Sequence, residues 1–542
     1  MRLIYRMTRA ATFLMALMLV QAIRSTLPLS VYGTERPNII FVFSDDHARH
    51  AISSYGSKVN QTPNIDRLAS GGARFANAFV TNSICTPSRA TLLTGQYSHL
   101  NGVPVFNRFD GSLDHVAKRL GAGGYHTGMI GKWHLGSDPT GFDRWVVLPG
   151  QGAYWNPEFL VPGKKLILEG HCTDVTTELG IEFMETRPKD RPFFMMLHYK
   201  APHRGWEPDL KNQAKFKNQM IPESETLWDD YATRPAALPE NRQTIARDLT
   251  HRDLKLVPPS DLKGPAFNRW QNTVPMELTV DGKLLTGEQL IRWKYQRYMQ
   301  DYLACVQGVD DGVGRVLDYL EKSDLTKNTI VIYTADNGWY LGDLGMYDKR
   351  FMYEPGLSVP LLARGPGILE GNVPSQLVAN IDLAPTFLAL AGLDIPTSMQ
   401  GESLLPLMQG KNPENWRTSI YYRYYHDPGH HNTAAHLGVR TDTHKLIYYW
   451  KKEVYEMYDL EKDPTEQHNL LFDPTEAKLP EVTKLLDELK GEIARLQKQF
   501  RDEGQFADQE SWPKTGVDGP FPDKSSIGKK TISEAIRASV TE

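Results

Sequence analysis

Eight side chains capable of acid–base or ligand chemistry follow four apolar runs of strand length. "NIIFVFSDD" ends in Asp45 and Asp46, and "YHTGMIGKWH" carries Lys132 and His134 at its end. "PFFMMLHYKAPH" carries Lys200 and His203, and "NTIVIYTADNG" carries Asp336 and Asn337. Three carboxylates and an amide are hard oxygen donors. They suit Ca²⁺ or Mg²⁺ better than a thiolate-seeking metal. Without a cation, such crowding would raise carboxyl pKa values by mutual repulsion. The two lysines and two histidines can clamp a tetrahedral anion, and the imidazoles exchange protons near neutral pH. Together these groups describe a site for a phosphate or sulfate ester.

A further reactive group sits in "NSICTPSRATLLTG", residues Asn82–Gly95. Pro87 suits the first turn of a helix, where a missing N–H costs nothing, and Gly95 suits its exit. That helix would begin near Cys85, and helix N-termini favour anions. Arg89 lies one turn on and can reach back to the same place. A thiolate attacking sulfate would leave an S–S(O₃) adduct with no built-in exit. From the residues alone, the site is an anion-ester site with an awkward nucleophile.

The elements that must position these groups follow from the pattern. From Asn38 to about Pro396, strand-length apolar runs alternate with helical patterns. This argues for an α/β fold: a large mixed, mostly parallel sheet sandwiched by helices. Ligands of such sheets bind at the carboxyl ends of the strands, where the four runs place their polar residues. "RYMQDYLACVQGVDDGVGRVLDYLEK" has helical apolar spacing and puts Cys305 on an amphipathic helix. Residues 207–290 are polar, Pro- and Trp-containing and weakly periodic, an excursion over the sheet. After Thr397 come short aromatic, turn-bounded strands and then the helical stripe of "EVTKLLDELKGEIARLQKQF". The expected division is a catalytic domain over 34–396, a C-terminal α+β subdomain (antiparallel sheet plus helix) over 397–505, and a tail over 506–542.

The chain has 542 residues and a net charge of −4, without the clustered basic face that nucleic acid requires. Arg2, Arg6 and Arg9 precede an apolar run from Ala11 to Ile23, the pattern of a secretory leader within residues 1–33, cleaved after Ala22 or Gly33. The run is short for a stable membrane insertion. The expected location is therefore periplasmic or secreted. The three cysteines do not make a disulfide scaffold; Cys172 and Cys305 are either a pair or two free thiols.

At these residues the chain resembles the formylglycine-dependent sulfatases of the alkaline phosphatase superfamily. "CTPSRATLLTG" fits the signature C-x-P-S-R-x-x-x-L-T-G. The "DD" at Asp45–Asp46, "TPNIDRLA" at Thr62–Ala69, "GKWHLG" at Gly131–Gly136, "APH" at Ala201–His203, "DNG" at Asp336–Gly338 and "DKRFMYEPGLSVPLL" at Asp348–Leu362 fall in that family's order. The resemblance covers about 37–469.

It implies that a formylglycine-generating maturation enzyme converts Cys85 to formylglycine (3-oxoalanine). The hydrated aldehyde then attacks sulfur with one hydroxyl and expels sulfate by way of the other. It implies that Asp45, Asp46, Asp336 and Asn337 hold one Ca²⁺ that also touches residue 85. Arg89 and Lys132 would orient the nucleophile, His134 would take its proton, and His203 and Lys349 would bind sulfate and protonate the leaving alcohol.

Two positions depart from the pattern: Leu344 in "GDLG" stands where many bacterial relatives have histidine, and Gln96 follows "LTG" where arginine is usual. Leu344 reads as affecting substrate or the surroundings of the site. The implied substrate is a sulfated glycan, similar to those of N-acetylglucosamine-6-sulfatases and mucin-desulfating enzymes. His47, His436 and Arg440 are the candidates for gripping it. The alternatives are a phosphodiesterase or phosphonate monoester hydrolase of the same superfamily, and an inactive sulfatase-like binding protein.

Overall fold

The computed structural model describes residues 36–512 and the backbone of Ser525–Lys530; the expected leader at 1–33 lies outside the described residues. Five parallel strands form the centre of the sheet: β1 (Asn38–Ser44), β2 (His126–Lys132), β3 (Arg144–Leu148), β4 (Phe193–His198) and β5 (Thr329–Ala335). Their spatial order is β5-β1-β4-β2-β3. Strand β1 lies between β5 and β4, with Ile39 opposite both Ile330 and Phe194. Every residue of β1 is buried, which is why it reads as an unbroken apolar run rather than an alternation.

Antiparallel strands extend the sheet at both edges, making nine strands within residues 36–512. Leu361–Arg364 and Gly72–Arg74 lie beyond β5, and Glu158–Val161 and Lys164–Leu168 beyond β3. Ser525–Lys530, from the segment expected to be a tail, adds a tenth strand parallel to Lys164–Leu168.

Helices cover both faces. On one side, Val175, Leu179 and Phe183 of α2 (Cys172–Thr186) and a longer helix, α3 (Gly287–Lys322), close over Ile40, Val42, Met195 and Leu197. Helix α3 starts ten residues before the Arg297 at which the sequence pattern becomes regular. Its buried stripe includes Tyr298, Tyr302, Val306, Val309, Val313, Val316 and Leu320. On the opposite side Phe387, in the helix Leu383–Leu390, meets Phe41 and Phe194 edge-on or tilted, with centroids 5.1 and 5.2 Å away. Cys172 and Cys305 are separate free thiols in this packing.

The C-terminal strands Ser419–Tyr424, His436–Thr441, His444–Tyr449 and Val454–Asp459 pair in chain order as an antiparallel sheet, followed by the helix Pro480–Phe500. The excursion over 207–290 contains short helices and a small hairpin, Glu277–Val280 with Lys283–Thr286. No helix among the described residues is long and apolar enough to cross a membrane.

Candidate active site

Because β5, β1, β4 and β2 are neighbours and parallel, their polar C-terminal residues emerge at one edge of the sheet. Helix α1 (Cys85–Thr94) begins at the same edge. Gly95 ends it in the left-handed conformation, φ 63°, as its glycine allows. Cys85 is buried, and its Sγ donates to Asp45 Oδ1 at 3.3 Å. On its other side Lys349 Nζ lies 3.0 Å from the sulfur. Arg89 points back along the helix, reaching Asp45 Oδ2 and Asp336 Oδ2 at 3.0 Å each with Nη2. Its Nη1 donates to the carbonyl of Lys132 at 2.7 Å, fixing the end of β2. Lys132 Nζ pairs with Asp45 Oδ2 and donates to Gln151 Oε1 at 2.6 Å.

Asp46 has a left-handed backbone, φ 63°. Tyr302 of α3 holds this turn by accepting from Ala48 N and donating to the Asp46 carbonyl. Lys349 Nζ and Asn337 Nδ2 both donate to Asp46 Oδ1, while His203 Nε2 faces Oδ2 at 3.8 Å. His134 also has a left-handed backbone, φ 53°. Its carbonyl accepts from Thr86 Oγ1 at 3.1 Å, and its Nδ1 lies 3.4 Å from the same hydroxyl. Thr86 follows Cys85, so His134 is pinned beside the reactive position. Constrained backbone at Asp46 and His134 is the kind of local cost that surrounding structure sustains at functional sites.

Three buried carboxylates, Asp45, Asp46 and Asp336, face three buried cations, Arg89, Lys132 and Lys349. Burial opposes the charge of Asp45, but Lys132 and Arg89 outweigh it and hold the carboxyl well below its usual range. Asp46 is pushed up to about 7 by burial and by Asp45 and Asp336, against the pull of Lys349. Burial and Asp45 raise Asp336. This is the electrostatic signature of a site short of positive charge.

Ligand atoms of Asp45, Asp46, Cys85 and Asp336 all lie within 4.8 Å of one another. Asp46 Oδ2 and Asn337 Oδ1 are buried acceptors without hydrogen-bond partners. A cluster of hard oxygen donors with two unsatisfied members fits a hard divalent cation. Burial and Asp45 push the Cys85 thiol far above its ordinary range, so it stays protonated and is a poor nucleophile as a thiol. Burial and Lys132 hold His203 well below the usual imidazole range, leaving it neutral.

The site thus assembles Asp45, Asp46, Cys85, Arg89, Lys132, His134, His203, Asp336, Asn337 and Lys349. Lys200 stands apart: its buried ammonium lies over the Tyr154 ring, 4.6 Å from the centroid. Tyr154 in turn donates to the His203 carbonyl at 2.7 Å.

The three expected glycan contacts, His47, His436 and Arg440, stand in enclosed surroundings. His47 is fully buried beneath the carboxylates, with Nδ1 2.5 Å from Tyr333 Oη. His436 is enclosed by Phe351, Tyr422 and Tyr424 rings; its Nε2 accepts from Met352 N and its Nδ1 bonds the Ala434 carbonyl. Arg440 pairs with Glu354 and lies over Phe79. His436 and Arg440 are engaged by these internal partners, whereas His47 Nε2 is buried without a hydrogen-bond partner. Leu344 is likewise buried, with its carbonyl accepting from Tyr231 Oη.

Sequence reasoning missed an ionic cluster around Lys349. Asp348 and Arg350 flank it, pair with each other, and have left-handed backbones, φ 76° and 90°. His431, from the loop after the first C-terminal strand, bridges Asp348 at 2.9 Å and Asp248 of the excursion at 2.5 Å. "DKR" was the available signal, but its partners lie in distant loops. Arg350 Nε is buried without a hydrogen-bond partner.

Residues 37–393 match the family model described as Sulfatase, and residues 342–499 that described as N-sulphoglucosamine sulphohydrolase, C-terminal. The chain is 42% identical over 495 residues to N-acetylglucosamine-6-O-sulfatase of Bacteroides thetaiotaomicron, covering 86% of this chain and 88% of that protein. It is 28% identical over 421 residues to N-acetylglucosamine-6-sulfatase of Homo sapiens, covering 72% of this chain and 68% of that one. A solved structure of an enzyme with its substrate, D-glucosamine-2-N,6-O-disulfate, superposes with a TM-score of 0.81 at 39% identity, covering 88% of this chain and 100% of that one.

Proposed function

This chain belongs to the sulfatase family, and on that footing we propose that it is an exported carbohydrate sulfatase that removes the 6-O-sulfate of N-acetylglucosamine. The observation that carries the reading is the position of Cys85, at a helix start, enclosed by Asp45 and Lys349 and beside a buried oxygen-donor cluster. The identity to a protein of that named activity supports the sugar and the position.

Formylglycine at position 85 would supply, once hydrated, a hydroxyl nucleophile with a second hydroxyl through which sulfate leaves. Asp45, Asp46, Asp336 and Asn337 would hold the Ca²⁺, which supplies positive charge at the ester oxygens. The protein's own residues do the rest. Arg89 is locked by Asp45, Asp336 and the Lys132 carbonyl, so it presents fixed positive charge behind residue 85. Lys132 is held by Asp45 and Gln151 beside it. His134 is positioned by Thr86 to receive a proton from the residue-85 hydroxyl.

Asp46, with Asp348 and Asp45, holds the charge on Lys349 despite burial, keeping it cationic towards the ester oxygens. His203 is neutral in the free site. An arriving anionic ester raises its proton affinity and makes it the group placed to protonate the leaving alcohol. The cluster of Asp348, Arg350 and His431 fixes the backbone on either side of Lys349 and offers polar groups to the sugar.

Sulfate release from N-acetylglucosamine 6-sulfate, compared with the 3-sulfate and with N-acetylglucosamine 6-phosphate, tests this reading. Turnover of the 6-sulfate at least about a hundredfold above the others supports it. Preferred hydrolysis of the phosphate, or of the 3-sulfate, sinks it.

A further inference from the structure

The segment beyond residue 499, the last residue matched by either family model, returns to the active-site side of the molecule. Past the helix Pro480–Phe500, Asp502 binds Arg423 and accepts from Tyr421 Oη at 2.6 Å. Asp508 pairs with Lys451, and Gln509 donates to the carbonyl of Asp427. These contacts place Trp512 edge-on to His426, with centroids 4.8 Å apart. His426 lies 5.7 Å from His430, His430 5.1 Å from Phe106, and Phe106 6.2 Å from His134. An unbroken row of rings thus runs outward from a catalytic histidine. It is built from three distant parts of the chain. Phe106, His426 and Trp512 are half-buried and His430 is exposed. The loop that carries His426 and His430 is anchored at its far end by His431 on Asp348, next to Lys349.

We propose that this row is a second sugar subsite, which receives the pyranose ring attached to the sulfated sugar. The inference rests on the glycan reading above. A pyranose has apolar C–H faces that match aromatic rings, and hydroxyls that match imidazole nitrogens. The pocket around Cys85 is densely charged, whereas this row is two aromatic and two imidazole rings, with Arg350 near enough to His426 to act on it. Burial brings His426 down to about 4, so it too is uncharged at neutral pH. A row of this kind suits the uncharged next ring of a chain rather than a second anion. The segment 501–512 then extends the reach of the site from one sugar to two.

The test compares N-acetylglucosamine 6-sulfate with a trisaccharide carrying the same sulfated sugar at its non-reducing end. The full-length enzyme, Trp512→Ala, Phe106→Ala and Trp512→Tyr are assayed. The wild type should favour the trisaccharide in kcat/KM by about tenfold, the scale of one or two aromatic contacts. Trp512→Ala and Phe106→Ala should reduce that preference towards unity, and Trp512→Tyr should retain it. Equal use of both substrates by the wild type, or an undiminished preference in both alanine variants, overturns the proposal.

Calorimetry with the unsulfated trisaccharide decides the matter even where the sulfated sugar has been misassigned. Binding that weakens about tenfold in Trp512→Ala supports the subsite even when neither sulfate ester is hydrolysed, a result that would sink only the 6-O-sulfate reading. Absence of binding at millimolar concentration overturns the subsite.

Discussion

Lys349 Nζ lies 3.0 Å from Cys85 Sγ and donates to Asp46 Oδ1 as well. One ammonium therefore joins the reactive position to the proposed cation site. Its charge is maintained by the carboxylates around it, Asp46 first and then Asp348 and Asp45. Lys349→Ala should lower kcat/KM by about a hundredfold or more, the scale of losing a fixed charge at the transition state. Lys349→Arg should restore little, because a planar guanidinium cannot occupy the position of a compact ammonium. Steady-state sulfate release measures both; activity within threefold of wild type in the alanine variant would remove Lys349 from the mechanism.

The carboxylate cluster makes cation binding a stability matter. A ligand that binds only the folded state adds about 2.7 kcal/mol at a hundred times its dissociation constant. Calcium should raise the melting temperature of chelator-treated protein and restore its activity. Asp336→Ala should abolish the calcium-dependent shift in melting temperature. A wild-type protein whose melting temperature and activity ignore chelation would contradict the assignment of these four residues.

Asp348 is the shared partner of Arg350 and His431. Asp348→Ala would leave the buried Arg350 guanidinium without its acid. Breaking a buried pair in this way costs about 3–5 kcal/mol. Urea unfolding should show a loss of that order, and activity should fall with it because Lys349 is the next residue. A loss below about 1 kcal/mol would mean that the cluster is dispensable.

His436 gives a pH dependence with a definite sign. Burial brings it down to about 4 from an ordinary 6.5. Between those values the unfolded chain binds a proton that the folded chain refuses, so stability falls as pH drops from about 6.5 towards 4. The full contribution of this one group is about 3 kcal/mol. His436→Gln, which keeps an acceptor available to Met352 N, should flatten the decline in melting temperature over that window. An identical pH profile in the variant would assign the decline to other groups.

The central strands and the metal-type residues were readable because burial leaves a strong pattern. A strand covered on both faces must be apolar throughout, so Asp45 and Asp336 stand out where their runs end. Helix Cys85–Thr94 was equally plain from Pro87 and Gly95. His436 and Arg440 are hard to assign from sequence because a polar residue on a short strand looks the same whether it faces a ligand or an internal partner. Their partners, Met352 and Glu354, lie at the start of the short helix Glu354–Leu357, which only the fold brings near. The same reason hides the bridge from His431 to Asp348 and Asp248. No local spacing relates three residues so far apart in sequence. Tyr302 was read as part of a helix, but its hold on the Asp46 turn depends on how that helix lies against β1.

The central claim is that residue 85 acts as formylglycine rather than as a thiol. Its most direct test is the mass of the peptide spanning Asn82–Gly95, followed across preparations with different extents of maturation and compared with their specific activity. Conversion removes roughly 18 Da from the cysteine peptide. Activity on N-acetylglucosamine 6-sulfate should rise in proportion to the converted fraction and vanish in Cys85→Ala. Full turnover by protein whose peptide carries the unmodified cysteine mass would contradict the account.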